Sequence, residues 1–237
     1  MTNELFREHA FLQDIEATVV ALDDGAVICD QTNFYAMGGG QPGDSGSLFF
    51  EDGSAIKIVD TRKTNTGDIA HLVEEKVDLP AIGAKVRLVL DWERRHRLMR
   101  VHTALHLLCS QVDAGVTGGS IGEEKGRLDF DLEEPPEKEA LEQRLNQIIA
   151  EDHPVSHSWI TDEELEANPN LVRTMSVKPP MGSGKVRVIR IGTEENTVDF
   201  QPCGGTHVKS TAEIGAVRIG KIEKKGRQNR RVNLHLV

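Results

Sequence analysis

DWERRHRLMRVHTALHLLCSQ, residues 91–111, decides how the rest of the chain is read. It holds neither Gly nor Pro. Leu98, Val101, Leu105, Leu108 and, just beyond it, Val112 return every three or four residues, the period of an α-helix with an apolar face. The sequence before it is of another kind. EATVVALDDGAVICD, residues 16–30, alternates in part and breaks at Asp24-Gly25, a hairpin signal. SGSLFFED (45–52), AIKIVDTRK (55–63) and AKVRLVLD (84–91) continue as short strands punctuated by Gly and Asp. Closing so many short strands calls for a small β-barrel over residues 1–90, with a domain boundary near Asp91.

Beyond the helix, strands and helices mix. Residues 115–126 read as a Gly-rich connection and RLDFDL (127–132) as a strand. Pro135-Pro136 opens a second helix, EKEALEQRLNQIIAED (137–152), with Leu141, Leu145, Ile148 and Ile149 on one face. PVSHSWI (154–160) is a strand. Thr161 with Glu164 predicts a capping box for a short helix. VRVIRI, TVDFQ, AVRIGKIEKK and RVNLHLV complete an antiparallel sheet. The fold class expected is α+β: an N-terminal β-barrel, then an α/β domain over residues 91–237.

Two His/Cys pairs carry the chemistry. His102 and His106 lie four apart on the helix, so both imidazoles share one face. Cys203 and His207 are also four apart, within CGGTH, where Gly204 and Gly205 permit a tight turn. Three imidazoles and a thiolate are the donors zinc prefers, so Zn2+ is the expected cofactor. A closed, purely structural zinc site remains the competing reading. The zinc-peptidase pattern is excluded, because the residue after the first His is Thr103 and not Glu. The zinc-deaminase pattern is excluded as well, for want of Pro-Cys-x-x-Cys.

Net charge is −10, which argues against a nucleic-acid partner until its distribution is seen. Residues 167–237 carry 13 Lys and Arg against 5 Asp and Glu, so an acidic chain keeps a basic third. Arg94, Arg95, Arg97 and Arg100 crowd the helix start. Arg173, Lys178, Lys185, Arg187 and Arg190 form a second group. Lys221, Lys224, Lys225, Arg227, Arg230 and Arg231 surround an expected hairpin. Such runs are either solvated faces or a phosphate-binding surface. Gly38-Gly39-Gly40 lacks a following Gly-Lys-Ser/Thr, so it is no nucleotide loop. It is either a tight barrel turn or an RNA-facing loop. One Tyr and two Trp leave few platforms for base stacking.

Three widely spaced cysteines make no disulfide framework, and Cys29 and Cys109 read as buried apolar filler. A reducing, cytoplasmic setting is expected. The start reads as no secretory signal, and no apolar run reaches about 20 residues, so no membrane partner is expected. No exposed heptad or long apolar stripe is left over for self-association, so a monomer is expected.

HTALHLL (102–108), GRLDFDL (126–132) and DFQPCGGTHV (199–208) resemble the editing domain of alanyl-tRNA synthetase and its free-standing relatives, the AlaX proteins. NFYAMGGGQPGDSG (33–46) is similar to the glycine-rich motif preceding that domain, and IGKIEKKGRQNRRV (219–232) to the AlaX C-terminal strand pair. The resemblance runs through nearly the whole chain in order, and the length suits the medium-length free-standing type. It implies zinc on His102, His106, Cys203 and His207. It implies hydrolysis of tRNA(Ala) mischarged with serine and, in some members, glycine; the partner is then the acceptor end of tRNA(Ala) carrying a wrong amino acid. One position departs: many relatives have a glutamine shortly before the Gly-Ser that is Gly119-Ser120 here.

The residues leave several roles open. Zinc would either activate water or anchor the substrate amine. Thr103 either meets the serine hydroxyl or the attacking water, or bonds to its own helix backbone. The backbone N–H groups of Gly204 and Gly205 are candidates for an oxyanion site, and Gln201 for the same pocket. Gly38, Gly39, Gly40, Arg94, Arg95, Arg187, Lys224, Lys225 and Arg230 are the candidate tRNA contacts. Two alternatives stand beside ester hydrolysis of Ser-tRNA(Ala): a deacylase of a different aminoacyl-tRNA, and a zinc-stabilised RNA-binding module without catalysis.

Overall fold

The computed structural model describes residues 1–175 and 184–237, and these divide into two compact units, Met1–His96 and Arg97–Val237. Lys178 of the second basic group lies outside the described residues.

The first unit is built of β1 (Asn3–Glu4), β2 (Asp14–Asp23), β3 (Ala26–Cys29), β4 (Gln31–Thr32), β5 (Gly46–Phe49), β6 (Ala55–Lys63), β7 (Ile69–Val73) and β8 (Lys85–Leu90). β1 and β4 form a small parallel pair; the other six close into a barrel in the order β2-β3-β7-β6-β5-β8. The hairpin expected at Asp24-Gly25 is present, with φ of 46° and 81° at its two turn residues. Period-two alternation puts Ile15, Ala17 and Val19 of β2 inside the barrel with Val27, Cys29, Leu48, Ile58, Val86 and Leu88. β7 escapes the sequence reading because its burial is continuous over Ile69, Ala70 and His71, so no alternation marks it.

α1 (Trp92–Gln111) begins in the first unit and continues through the second. Asp91 starts it, its carboxylate accepting from Arg94 N–H. From Leu98 to Cys109 every side chain except Arg100 is buried, so α1 is a central helix and not a one-faced surface helix. This is why its polar residues in that stretch, His102, Thr103 and His106, need internal partners.

The second unit continues with β9 (Val116–Ile121), β10 (Lys125–Phe130), α2 (Lys138–Ala150), β11 (Val155–Ile160), α3 (Asp162–Ala167), β12 (Val186–Gly192), β13 (Thr197–Pro202), β14 (Val217–Gly226) and β15 (Asn229–Leu236). Two antiparallel sheets result, β14-β15-β10-β9 and β11-β12-β13. Residues expected as a Gly-rich connection include β9. Gly118 and Gly119 have poor strand propensity, but β9 is held by its ladder to β10, with Gly118 opposite Asp129 and Gly119 opposite Leu128. A Cβ at Gly126 of β10 would stand 2.7 Å from Val101 and 2.8 Å from Leu105 of α1, so this glycine lets helix and sheet meet. α2 packs on β14, where Asn146 bonds both the N–H and the C=O of Val217. Thr161 and Glu164 form the expected capping box at the start of α3. No helix among the described residues is long and apolar enough to cross a membrane.

Candidate metal centre

His102 and His106 come from the buried middle of α1. Cys203 and His207 come from the turn that follows β13. The fold brings the four together: their ligand atoms all lie within 4.8 Å of one another. Cys203 Sγ is 3.5 Å from His102 Nε2 and 3.3 Å from His207 Nε2. A tetrahedral centre with usual metal–nitrogen and metal–sulfur bonds needs nitrogen–sulfur edges of about 3.6 Å, so the spacing suits a metal ion.

The turn is held from below by Arg187 of β12. Its guanidinium donates to Cys203 O and Gly205 O, both at 2.9 Å, while Cys203 N–H donates back to Arg187 O. Neither Gly204 nor Gly205 takes a positive φ, so the turn does not depend on left-handed backbone there. The Gly205 N–H points at the Cys203 sulfur at 3.4 Å and supports the thiolate.

Two outer contacts orient the imidazoles. His106 Nδ1 lies 2.8 Å from Asp199 Oδ2; the carboxylate can only accept, so Nδ1 carries the proton and Nε2 faces the cluster. His207 Nδ1 lies 3.1 Å from Thr103 Oγ1. The Thr103 hydroxyl donates to Met99 O and accepts from Val208 N–H, so its remaining lone pair takes the His207 Nδ1 proton. Thr103 is fully buried and its hydrogen-bonding capacity is spent. Its place is therefore behind His207, and of its two expected roles the bond to its own helix backbone is the one present. Gln201 stands one layer further out, donating from Nε2 to both oxygens of Asp199, at 3.1 and 2.9 Å.

The electrostatics of the cluster attract positive charge. Burial opposes a thiolate at Cys203, but the fields of His102 and His207 outweigh it and hold the thiol well below its usual value. Burial also disfavours charge on His106, yet the bonds to Asp199 and Cys203 push it up to about 10. Burial, then the field of His102, drives His207 well below the usual imidazole value. Cys203 as thiolate and His207 as neutral imidazole are thus in the forms that ligate metal, whereas His106 releases its Nε2 proton when a metal binds. The other two cysteines are of a different kind: burial pushes Cys29 up to about 12 and Cys109 up to about 11, which suits the expected filler role.

The candidate tRNA contacts divide. Arg95 is fully buried; it pairs with Asp44 through Nε at 2.9 and 3.0 Å and through Nη2, and also donates to Ala10 O and Asn33 O. Arg187 holds the CGGTH turn, and Arg230 donates to Gly226 O, Arg227 O and Asn229 O inside the β14–β15 hairpin. These three are corrected from RNA contacts to internal supports, because a buried guanidinium with five donors serves carbonyls that would otherwise be unsatisfied. Lys224 and Lys225 are exposed, Lys225 beside Glu223 at 2.7 Å. Arg94 is half-buried and donates to Gly43 O. Gly38 and Gln41 close a turn on each other, with Gly39 and Gly40 at φ of 55° and 82°; the turn is tight, and Gly39 and Gly40 stand exposed at its tip.

A family model described as the threonyl and alanyl tRNA synthetase second additional domain matches residues 186–233, and one for class II (A) tRNA synthetases matches residues 4–94. The alanyl-tRNA editing protein AlaX-M of Methanosarcina mazei is 35% identical, across 100% of this chain and 97% of its own length. That of Saccharolobus solfataricus is 34% identical, across 98% of each. This chain belongs to the AlaX-M family. The alanine–tRNA ligase of Pyrobaculum calidifontis is 36% identical over 94% of this chain, which corresponds to 25% of the ligase. The family's free-standing members thus match from end to end, whereas the ligase carries the same region as one part of a longer chain.

Asp199 is the site residue that the sequence reading passes over. Its signal was available: Asp199 and Gln201 alternate along β13, and the next step of that alternation is Cys203, the thiolate ligand just past the strand end.

Proposed function

We propose that this protein is a trans-editing hydrolase that deacylates mischarged tRNA(Ala), Ser-tRNA(Ala) first and Gly-tRNA(Ala) second, and that the cluster binds zinc. Membership of the AlaX-M family supports the tRNA(Ala) role. The single observation that carries the chemistry is the cluster of His102, His106, Cys203 and His207, whose donors and spacing suit a tetrahedral ion. When bound, zinc supplies Lewis-acid polarisation at the ester.

The protein's own residues do the rest. Asp199 and Thr103 hold two imidazoles in the ligating tautomer. Arg187 and the Gly205 N–H fix the thiolate. Cys203 and Gly204 are the partly exposed members of the turn, so the ester approaches from that side, where Gly204 presents no side chain. Gly204 N–H is the remaining backbone donor proposed for the oxyanion. Hydrolysis of an ester requires no nucleotide. Lys224, Lys225, Arg94 and the exposed Gly38–Gly40 turn are proposed to meet the RNA backbone, which makes binding fall steeply with salt.

Discrimination follows from the hydroxyl of serine. A site that hydrogen-bonds it leaves a polar group unpaired when alanine is offered, and rejects alanine strongly. The test is deacylation of Ser-, Gly- and Ala-tRNA(Ala) by purified protein with and without a chelator. Rapid loss of serine, sparing of alanine and arrest by chelator are expected. Equal hydrolysis of the serine and alanine esters refutes the proposal. A Cys203→Ala variant that still binds tRNA but no longer deacylates separates the enzyme from a non-catalytic RNA-binding module.

A further inference from the structure

Three aromatic side chains occur in the second unit: Phe130, Trp159 and Phe200. Phe130 is fully buried, and Phe200 lies under the Arg190 guanidinium at 4.2 Å. Trp159 is the most accessible of the three, at 38% exposed. On β11 it sits directly opposite Arg187 of β12, and Arg187 in turn lies opposite Cys203, whose N–H bonds Arg187 O at 3.1 Å. Residues opposite one another across antiparallel strands project from the same face. Trp159, Arg187 and Cys203 therefore form one row across the sheet, on the face that also carries Asp199 and Gln201. Phe200 alternates with those two and belongs to the other face. Two strand spacings place the Trp159 backbone about 10 Å from that of Cys203.

From this row we infer that Trp159 is the stacking platform for the 3′-terminal adenine of the bound RNA. The inference rests on the editing function proposed above. An ester at the metal cluster fixes one end of the terminal adenosine, and the adenine lies one ribose away. The row offers a partly exposed indole at that reach, and stacking on an indole needs no particular hydrogen-bonding pattern from the base. The Arg187 guanidinium between them keeps positive charge beneath the path of the RNA end. The stack holds the leaving nucleoside while the ester reacts, so Trp159 contributes binding and leaves the ligand cluster untouched.

The probe is a short RNA hairpin ending in CCA whose last nucleotide carries serine through a 3′-amide, compared with the same RNA bearing an abasic terminal ribose. Binding to the full chain is measured by calorimetry. Wild type should prefer the adenine-ended RNA by about tenfold. Trp159→Phe should keep most of that preference; Trp159→Leu, which keeps apolar bulk without a ring, should bring the two RNAs within about twofold. A preference that survives in Trp159→Leu, or its absence in wild type, overturns the inference. So does AMP binding wild type as tightly as the RNA, which would mark a free-nucleotide site. Deacylation of Ser-tRNA(Ala) by wild type is run alongside: its failure sinks the editing proposal, whereas normal deacylation with an unchanged preference in Trp159→Leu sinks this inference alone.

Discussion

Replacing Asp199 with Ala should weaken zinc binding by roughly ten- to a hundredfold without touching a ligand atom. The magnitude follows from the contact it removes. Asp199 Oδ2 accepts from His106 Nδ1–H at 2.8 Å, and each partner's side chain is only 8% exposed. A hydrogen bond to a charged group in such surroundings is worth about 1.5–3 kcal/mol, which corresponds to the same range of affinity. Without the carboxylate, the His106 ring loses the partner that keeps Nε2 aimed at Cys203, and either tautomer becomes accessible. Asp199→Asn is the gentler test. Its oxygen still accepts from His106 and from Gln201 Nε2, but its amide nitrogen takes the Oδ1 place and sets two donors against each other, 3.1 Å apart. A loss of about tenfold is expected there. Competition with a chromogenic chelator at pH 7.5 reads the affinity directly, apart from any effect on deacylation. Asp199→Ala binding zinc within about twofold of wild type would refute the tautomer argument.

Thr103→Val removes the acceptor for His207 Nδ1–H, whereas Thr103→Ser retains it; the same competition should show about a tenfold loss for Val and near-normal binding for Ser. In the barrel unit, Arg95→Met strands the buried Asp44 carboxylate and should cost about 3–5 kcal/mol in urea unfolding. The double variant Asp44→Leu with Arg95→Met should cost less than Arg95→Met alone; equal cost would speak against an unpaired charge as the cause. His71 is fully buried, donates Nδ1–H to Val27 O and accepts from Thr32 at Nε2, and burial lowers it from 6.5 to about 4. The folded form thus disfavours the proton. Its contribution is complete above pH 6.5 and fades as pH falls toward 4, by about 2 kcal/mol at pH 5. Urea titrations at pH 7 and pH 5 should show that loss in wild type and a shallower dependence in His71→Gln.

Much of the architecture is legible because apolar periodicity reports burial directly. The break at Asp24-Gly25, the helix from Asp91 and the Thr161–Glu164 box all show in the structure where local chemistry places them. β7 and β9 are not legible. One is buried continuously and the other is rich in glycine, so their pairing partners define them. Basic residues mislead most. In sequence Arg95, Arg187 and Arg230 look like Lys224 and Lys225, yet the first three turn inward and the last two stay in solvent.

What the sequence determined by itself was the donor set. His102 and His106 share a helix face because 3.6 residues make a turn, and Cys203 with His207 flank a short glycine turn whatever the rest of the chain does. Only the tertiary structure decided that the two pairs meet, nearly a hundred residues apart, and which protons they carry. That depends on Asp199 standing behind His106 and on a buried threonine whose hydroxyl is already committed when it receives His207. Spacing along the chain governs which side chains share a face; proton placement depends on the atoms that packing brings to the far side of each ring.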